Sequence, residues 1–127
     1  MAHPTKPVLI TALDGVTATT TSSAINIENA KKVTFLFSRT DHGSGKTVFT
    51  VTASLDGTTF TAYNKLVANA ANANTETVLR AANYDTGTAN ASAIYSMDLQ
   101  YDTFKEIKVV ATETTDGTHT AKVLIER

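Results

Sequence analysis

Apolar and polar residues alternate along much of this chain, which predicts β-strands. Between residues 48 and 63, Phe49 and Val51 alternate with threonines, an Asp56-Gly57 pair follows, and a second alternating run comes after it. Alternation with a period of two places one set of side chains on a buried face, and Asp-Gly is typical of a tight turn between paired strands. This segment therefore predicts a β-hairpin in a half-buried antiparallel sheet.

The same criteria predict nine strands separated by turn residues: Pro7–Leu13, Ala24–Ile27, Val33–Ser38, Thr47–Leu55, Thr58–Tyr63, Thr77–Ala82, Ile94–Leu99, Ile107–Glu113 and Thr118–Glu126. Four alternating sets are expected to form the core: Val33, Phe35 and Phe37; Tyr95, Met97 and Leu99; Ile107, Val109 and Ala111; and Ala121, Val123 and Ile125. Short strands without intervening amphipathic helices indicate an all-β protein, an antiparallel β-sandwich of jelly-roll-like type.

A chain of 127 residues is the size of one domain with one core. Pro4 and Pro7 disfavour helix and predict that residues 1–7 form an extended N-terminal arm, either a loose tail or a strap across a neighbour. The β-sandwich domain is then expected to span residues 8–127.

Two stretches lack the alternating pattern. Lys65–Glu76 is rich in Ala and Asn, and we interpret it as a long connection that crosses one end of the sandwich with one helical turn. In Tyr101–Phe104, the two aromatic residues are expected to plug the edge of a sheet, while Asp102 and Thr103 bond to the local backbone.

The charge pattern argues against several classes of partner. Charged residues make up 18% of the chain and the formal net charge is −1, so no strong field attracts nucleic acid or an anionic membrane. No run approaches the length of a membrane span or of a signal peptide. The absence of cysteine excludes disulfides, thiolate metal sites and a cysteine nucleophile.

One motif invites a misleading comparison. Gly43–Thr47 reads GSGKT, like the end of a phosphate-binding loop, but that motif needs a glycine where this chain has Thr40 and a helix after the lysine. A strand is expected here instead. The segment is therefore predicted to be a flexible loop that joins two strands.

No other constellation of residues predicts a reaction centre. Asp41 and His42 are too few for a metal site, and no serine, histidine and acid can be grouped by sequence logic. Four aspartates are expected to support turns: Asp14, Asp56, Asp85 and Asp116. The alternative is that these turn oxygens bind calcium, with Asn64 or Asn83 assisting. We predict no enzyme activity and no cofactor. Exposed tyrosines could stack on a sugar or anchor a protein contact, namely Tyr63, Tyr84 and Tyr101.

Three runs carry a resemblance to a known group of proteins. Val33–Phe37, Thr47–Phe60 and Ile107–Thr112, in a small chain rich in Thr and Ala without cysteine, resemble the small β-sandwich structural proteins of tailed bacteriophages. The FxVxxSxDGxxF pattern within Thr47–Phe60 is also similar to discoidin-type jelly-roll modules.

The phage resemblance implies a part of the virion, a capsid decoration or cement protein that binds the major capsid protein in the assembled shell. It also implies a homo-oligomer, and a trimer fits the three-fold positions of a capsid. The expected contact residues are Met1, Ala2, His3, Pro4, Lys65, Leu66 and Val67. The alternatives are a carbohydrate-binding or adhesion module that uses the loops around Asp41, His42 and Tyr84, and a tail or neck component of the virion.

Overall fold

The computed structural model describes residues 6–41, 43–69, 72–81, 83–98 and 104–127, with the side chains of 64–69, 72–81, 83 and 96–98 outside the description. Within these ranges the chain is all-β, and no helix is present that could cross a membrane. The strands are β1 (Val8–Val16), β2 (Thr20–Thr21), β3 (Ile25–Asn26), β4 (Lys32–Thr40), β5 (Thr47–Ser54), β6 (Thr61–Ala62), β7 (Asn64–Asn69), β8 (Asn72–Ala81), β9 (Asn83–Asp85), β10 (Ala91–Asp98), β11 (Glu106–Glu113) and β12 (Thr118–Glu126).

Two antiparallel sheets pack face to face, which confirms the predicted β-sandwich. The first sheet has the strand order β1-β12-β4-β10. The second has the order β2-β11-β5-β6, with β3 also pairing with β11 and β9 also pairing with β5. β7 and β8 pair with each other and form a separate two-stranded sheet.

The core includes three of the four alternating sets predicted for it, together with Leu13, Ile25, Ile27, Phe49 and Val51. The three predicted sets on β4, β11 and β12 are all buried. Phe37 lies at the centre, with its ring stacked on those of Phe35 and Phe49 at centroid distances of 5.6 and 5.0 Å. Tyr95 packs against the core from β10, whereas Leu99 and the side chain of Met97 lie outside the described residues.

The predicted hairpin is present but its second strand is shorter than expected. β6 covers only Thr61–Ala62 instead of Thr58–Tyr63, and the main partner of β5 is β11. The loop between β5 and β6 is longer than a two-residue turn because the Asp56 carboxylate accepts hydrogen bonds from the amides of Thr58 and Thr59. Those amides are thereby withdrawn from strand pairing.

The predicted turn at Asp14 is wrong. Asp14 and Gly15 lie inside β1, where the pairing with β12 shifts register between Leu13 and Val16. Gly15 has a φ of 60°, which a glycine adopts without strain. The Asp-Gly pair therefore forms a bulge in an edge strand and does not reverse the chain.

The interpretation of Lys65–Glu76 as a connection with a helical turn is also wrong. The described residues of this stretch, 65–69 and 72–76, lie in β7 and β8, where Leu66 is opposite Val78 and Val67 is opposite Thr77. The β-branched residues of β8 favour an extended backbone, and each strand satisfies the hydrogen bonds of the other. The sequence did not predict this hairpin because apolar and polar residues alternate little there. In the described structure its two strands pair with each other and with neither sheet of the sandwich.

Candidate functional site

The buried faces of four strands end in polar side chains at the same end of the sandwich. Arg39 continues the buried face of β4, Thr47 that of β5, Glu113 that of β11 and His119 that of β12. His119 is opposite Arg39 in register, and Glu113 is opposite Thr47. We call these four residues the polar end.

Arg39 connects three loops through main-chain carbonyls. One terminal nitrogen, Nη1, donates to the carbonyl oxygens of Gly45 at 3.0 Å and Gly87 at 3.3 Å. The other, Nη2, donates to those of Ser44 at 2.9 Å and Asp116 at 2.6 Å. Because the Arg39 side chain is fully buried, these bonds form in a low dielectric and hold the loops firmly.

The loop that resembles a phosphate-binding motif is folded around a carboxylate of its own chain. The amides of Gly43 and Ser44 donate to Asp116, at 3.0 and 3.1 Å to Oδ1. β5 begins at Thr47, directly after the loop, so the prediction that a strand follows the lysine is confirmed. These amides therefore stabilise a turn. His42 lies outside the described residues.

The polar end contains an acid, an imidazole and a hydroxyl in a row. Glu113 Oε2 lies 2.8 Å from His119 Nε2, and Nδ1 lies 3.3 Å from Thr47 Oγ1. An ionised carboxylate only accepts, so Nε2 donates to Glu113, while Nδ1 and the Thr47 hydroxyl form a hydrogen bond whose direction depends on the protonation of the ring. Thr47 and His119 are both 0% exposed, so the hydroxyl has no access to a substrate. The row stabilises the fold.

Sequence reasoning missed the polar end, although a signal for it was present. Arg39 and His119 each lie two residues beyond a predicted buried set, on the same face of the strand. Extending the alternation by one step would have placed both side chains inside the protein. A charged or polar side chain is usually expected at an exposed position. That expectation fails for Arg39 and His119 because buried hydrogen-bond partners surround both side chains.

Asp56 confirms the prediction that turn aspartates bond to the local backbone. Its Oδ1 accepts from the amides of Thr58 and Thr59 at 2.8 and 2.9 Å, and from the hydroxyl of Ser54 at 2.9 Å. These hydrogen bonds, first those from the two amides, lower the pKa of Asp56 from 3.8 to about 2. Oδ1 is thus committed to the turn.

Asp85 has the same kind of role at the end of β9. It accepts from the amide of Gly87 at 2.8 Å and from Lys46 Nζ at 3.1 Å, and both contacts, in that order, lower its pKa. Among the described residues, no three His, Asp or Glu side chains form a group suited to a metal ion. The predicted helper side chains of a calcium site, Asn64 and Asn83, lie outside the description.

Tyr84 is less available for a ligand than predicted. Its ring is stacked on Phe37 and Phe49 at centroid distances of 6.5 and 6.4 Å, and it lies 5.8 Å from Tyr95. Burial against these rings raises the pKa of the Tyr84 hydroxyl. Tyr84 and Tyr95 are both partly buried and pack against the core, so the Tyr84 ring is not an open platform.

Tyr63 and Phe104 border an open groove of about 590 Å³. Their rings meet edge to face at 5.3 Å, and Leu55, which is 78% exposed, stands on the loop beside them. Phe104 thus packs at the sheet edge, as predicted for it, while Tyr101 lies outside the described residues. The carboxylate that lines the groove, Asp56, is already used by its own turn. The described residues that line the groove offer contact area and no group of acids and bases suited to a reaction.

The hairpin of β7 and β8 interrupts the edge strand of the second sheet. β6 runs along β5 as far as Tyr63, whose amide donates to the carbonyl of Val51 at 3.0 Å. β9 resumes the pairing at Asn83, opposite Thr50, the next residue along β5. β6 and β9 are therefore two parts of one edge strand, and residues 64–82, which we call the β-arm, are inserted between them.

The β-arm carries three of the predicted contact residues. Lys65, Leu66 and Val67 lie in β7, opposite residues of β8. An isolated two-stranded hairpin is only marginally stable in water, so packing against another surface would stabilise the β-arm. The remaining predicted contact residues lie outside the described residues: Met1, Ala2, His3 and Pro4.

Comparison with known proteins gives the fold but no family. No family model and no curated protein matches the chain. Among solved structures, the chain is similar to the SPBc2 prophage-derived protein YomS, with 11% identity and a TM-score of 0.61 over 99% of this chain and 97% of YomS.

The chain is also similar to VP2 in the subviral particle of infectious bursal disease virus, with 12% identity and a TM-score of 0.51. That match covers 95% of this chain and 33% of VP2. At these identities the similarity concerns the fold alone. A prophage-derived protein and a viral protein thus share the β-sandwich that the phage resemblance implies.

Proposed function

We propose that this protein is a virion structural protein of a tailed bacteriophage, a capsid decoration protein that binds and stabilises the assembled shell. The observation that carries the proposal is the β-arm, a two-stranded element that leaves the edge of the sandwich and joins neither sheet. Such an element serves contact with another molecule, because the sandwich does not need it for its own pairing. The fold shared with YomS and VP2 supports this role.

The proposed activity is binding and not catalysis. The acid, imidazole and hydroxyl row at the polar end is enclosed, with Thr47 and His119 0% exposed. The groove beside Tyr63 has contact area but no free acid or base in the described part of the chain. Shell binding needs only buried area, shape and pairing of edge strands, all of which a sandwich with a β-arm supplies.

The proposed partner is the major capsid protein, and the contact elements are the β-arm and the N-terminal arm, residues 1–7. Pairing of β7 or β8 with an exposed strand of the shell would add a third strand to the hairpin and thereby stabilise it. The protein would then act in the virion as a homo-oligomer.

The test is a variant that lacks the β-arm, with Tyr63 joined directly to Asn83. These residues are opposite consecutive residues of β5, so the ligation continues the edge strand in register. We expect a β-type circular dichroism spectrum, cooperative thermal unfolding and loss of co-sedimentation with shells of the cognate phage. Unchanged co-sedimentation would exclude the β-arm as the contact element, and failure of the unaltered protein to bind any shell would refute the proposed function.

Point variants separate the β-arm from the rest of the surface. Leu66→Ser and Val67→Ser are expected to weaken shell binding, because both residues lie on the β-arm. Leu55→Ser is the matched control, since Leu55 is an exposed aliphatic residue outside the β-arm. Equal weakening by all three variants would indicate non-specific hydrophobic contact.

A glycan-binding assay distinguishes the adhesion alternative. A module that used Tyr84 as a stacking platform would lose glycan binding on Tyr84→Ala while the sandwich stayed folded. The stacking of Tyr84 on Phe37 and Phe49 supports the opposite expectation, that this change mainly destabilises the fold. Specific glycan binding without shell binding would favour the adhesion module.

A further inference from the structure

The sandwich has four edges, and three of them are protected against pairing with another chain. β1 is bulged, with register shifts after Thr11 and after Leu13. β2 and β3 are two residues long each, and the edge formed by β6 and β9 is interrupted by the β-arm. Short, bulged or interrupted strands are the usual means by which proteins prevent edge-to-edge association.

The fourth edge, β10, lacks all of these protections. β10 pairs with β4 over eight consecutive positions, from Ala91 opposite Arg39 to Asp98 opposite Lys32, without a register shift. Ala91–Met97 contains no Lys, Arg, Asp, Glu or Pro. In the part of the chain that the structure describes, no strand pairs with the other side of β10.

An exposed apolar residue lies at the centre of this edge. Ile94 is 69% exposed and is the middle residue of the uncharged run Ala91–Met97. Leu36 lies opposite Ile94 on β4, so the two form a short aliphatic strip that runs to the edge of the sheet. An edge of this kind is energetically favourable to cover.

We infer that β10 is the surface through which two copies of this chain associate, by antiparallel pairing of β10 with β10 about a two-fold axis at Ile94. The charges decide the orientation. Antiparallel pairing centred on Ile94 sets Asp98, the one acidic residue of the strand, at a register position near the uncharged start of the partner strand. A parallel arrangement in register would place Asp98 opposite its own copy, and like charges at directly opposite positions are unfavourable.

The pairing is self-complementary, as a two-fold interface requires. Each Ile94 is opposite its own copy, flanked by Leu36 from each subunit, so the aliphatic strip continues across the axis and leaves water. The two four-stranded sheets become one sheet of eight strands. The result is a dimer, in contrast to the trimer that the phage resemblance implies, and the inference does not depend on shell binding.

The first experiment measures the molar mass of the isolated protein by sedimentation equilibrium, without shells. We expect a dimer for the unaltered chain, and we expect Ile94→Lys to raise the dimer dissociation constant about 100-fold or more, since two buried isoleucines are replaced by two facing ammonium groups. Leu9→Lys is the matched control, because Leu9 is 61% exposed on β1, the opposite edge of the same sheet. This control should leave the mass unchanged.

The second experiment uses the absence of cysteine from the chain. Ile94→Cys creates a single thiol that lies about 5 Å from its copy across the axis, measured between the Cβ atoms. Mild oxidation or a short bis-maleimide is expected to cross-link this variant, and Leu9→Cys is expected to stay uncross-linked. This variant changes little at an exposed site, so it reports on association even if the lysine variant folds poorly.

Several results would overturn the inference: a monomer up to the solubility limit, an oligomer that Ile94→Lys leaves unchanged, or cross-linking through Leu9→Cys in place of Ile94→Cys. If the unaltered protein forms the dimer but binds no shell, the proposed function is refuted and the pairing of β10 with β10 still holds. The two failures are therefore distinguishable.

Discussion

Phe49 is the side chain whose truncation should affect the fold most, and Phe49→Ala tests the packing of the sandwich directly. Phe49 is 0% exposed. Its ring is stacked on Phe37 at 5.0 Å and on Tyr84 at 6.4 Å, and it meets the edge of His119 at 6.2 Å. Both sheets contribute to this group of rings, so its loss weakens the contact between the two layers.

The expected cost follows from burial and from ring geometry. Truncation of a buried Phe to Ala typically costs about 3–5 kcal/mol, and stacked aromatic pairs add about 0.5–1.5 kcal/mol beyond the area that they bury. Since Phe49 makes three ring contacts, we expect a loss near the upper end, about 4–5 kcal/mol. That is a large part of the stability of a domain of this size, about 5–15 kcal/mol.

The assay is urea unfolding followed by circular dichroism at fixed protein concentration, with Phe60→Ala as the control. Phe60 is only partly buried, and Lys108 Nζ lies 4.2 Å from its ring centroid. A partly exposed ring with one such contact should cost about 1 kcal/mol. A loss below about 1 kcal/mol for Phe49→Ala, or a larger loss for Phe60→Ala, would refute the assignment of the buried face of β5.

Three further predictions concern the polar end and one turn. Arg39→Met should lower the free energy of unfolding by about 3–5 kcal/mol, because it leaves four carbonyl groups and the Asp116 carboxylate without their buried partner; a loss under about 1 kcal/mol in urea unfolding would contradict this. Gly117→Ala should lower the melting temperature, since φ is 127° and the added Cβ would lie 2.6 Å from Arg39 Nε, and an unchanged melting temperature would mean that the loop relaxes freely. Ionised Asp56 stabilises the turn above its ordinary pKa of 3.8, and this contribution is lost as the pH falls towards the folded pKa of about 2. Asp56→Asn should therefore reduce the dependence of stability on pH in that window, and identical acid titrations of stability for both proteins would refute this role of Asp56.

The core was predictable from the sequence because it depends on a local rule. Alternation with a period of two identified the buried faces of β4, β11 and β12 without knowledge of which strands pair. The hairpin at β5 followed from the same rule together with the Asp56-Gly57 pair. Each of these predictions needs only neighbouring residues.

The polar end was not predictable because its stability depends on distant parts of the chain. A buried guanidinium is acceptable only where acceptors surround it, and the acceptors of Arg39 come from the loops at Ser44–Gly45, Gly87 and Asp116. The sequence around Arg39 does not predict that these three loops meet at its side chain. The same holds for His119, whose partners are Glu113 and Thr47.

The sequence predicted a strand only in the last part of the β-arm, at Thr77–Ala82, and the rest of the hairpin was missed for a related reason. Its sequence between Lys65 and Glu76 is dominated by Ala and Asn, which gives neither helical nor strand periodicity. Only the pairing with β5 shows that the β-arm is an insertion, because Tyr63 and Asn83 are opposite adjacent residues of that strand. Register between strands is not encoded in either strand alone.

Since the chain leaves and re-enters the edge strand at neighbouring positions, the sandwich is indifferent to what is placed between Tyr63 and Asn83. Selection for binding can therefore change the length and the sequence of the β-arm without changing the packing of the core. Homologous proteins should therefore retain the sandwich, while the sequence of the β-arm should diverge faster than the strands around it.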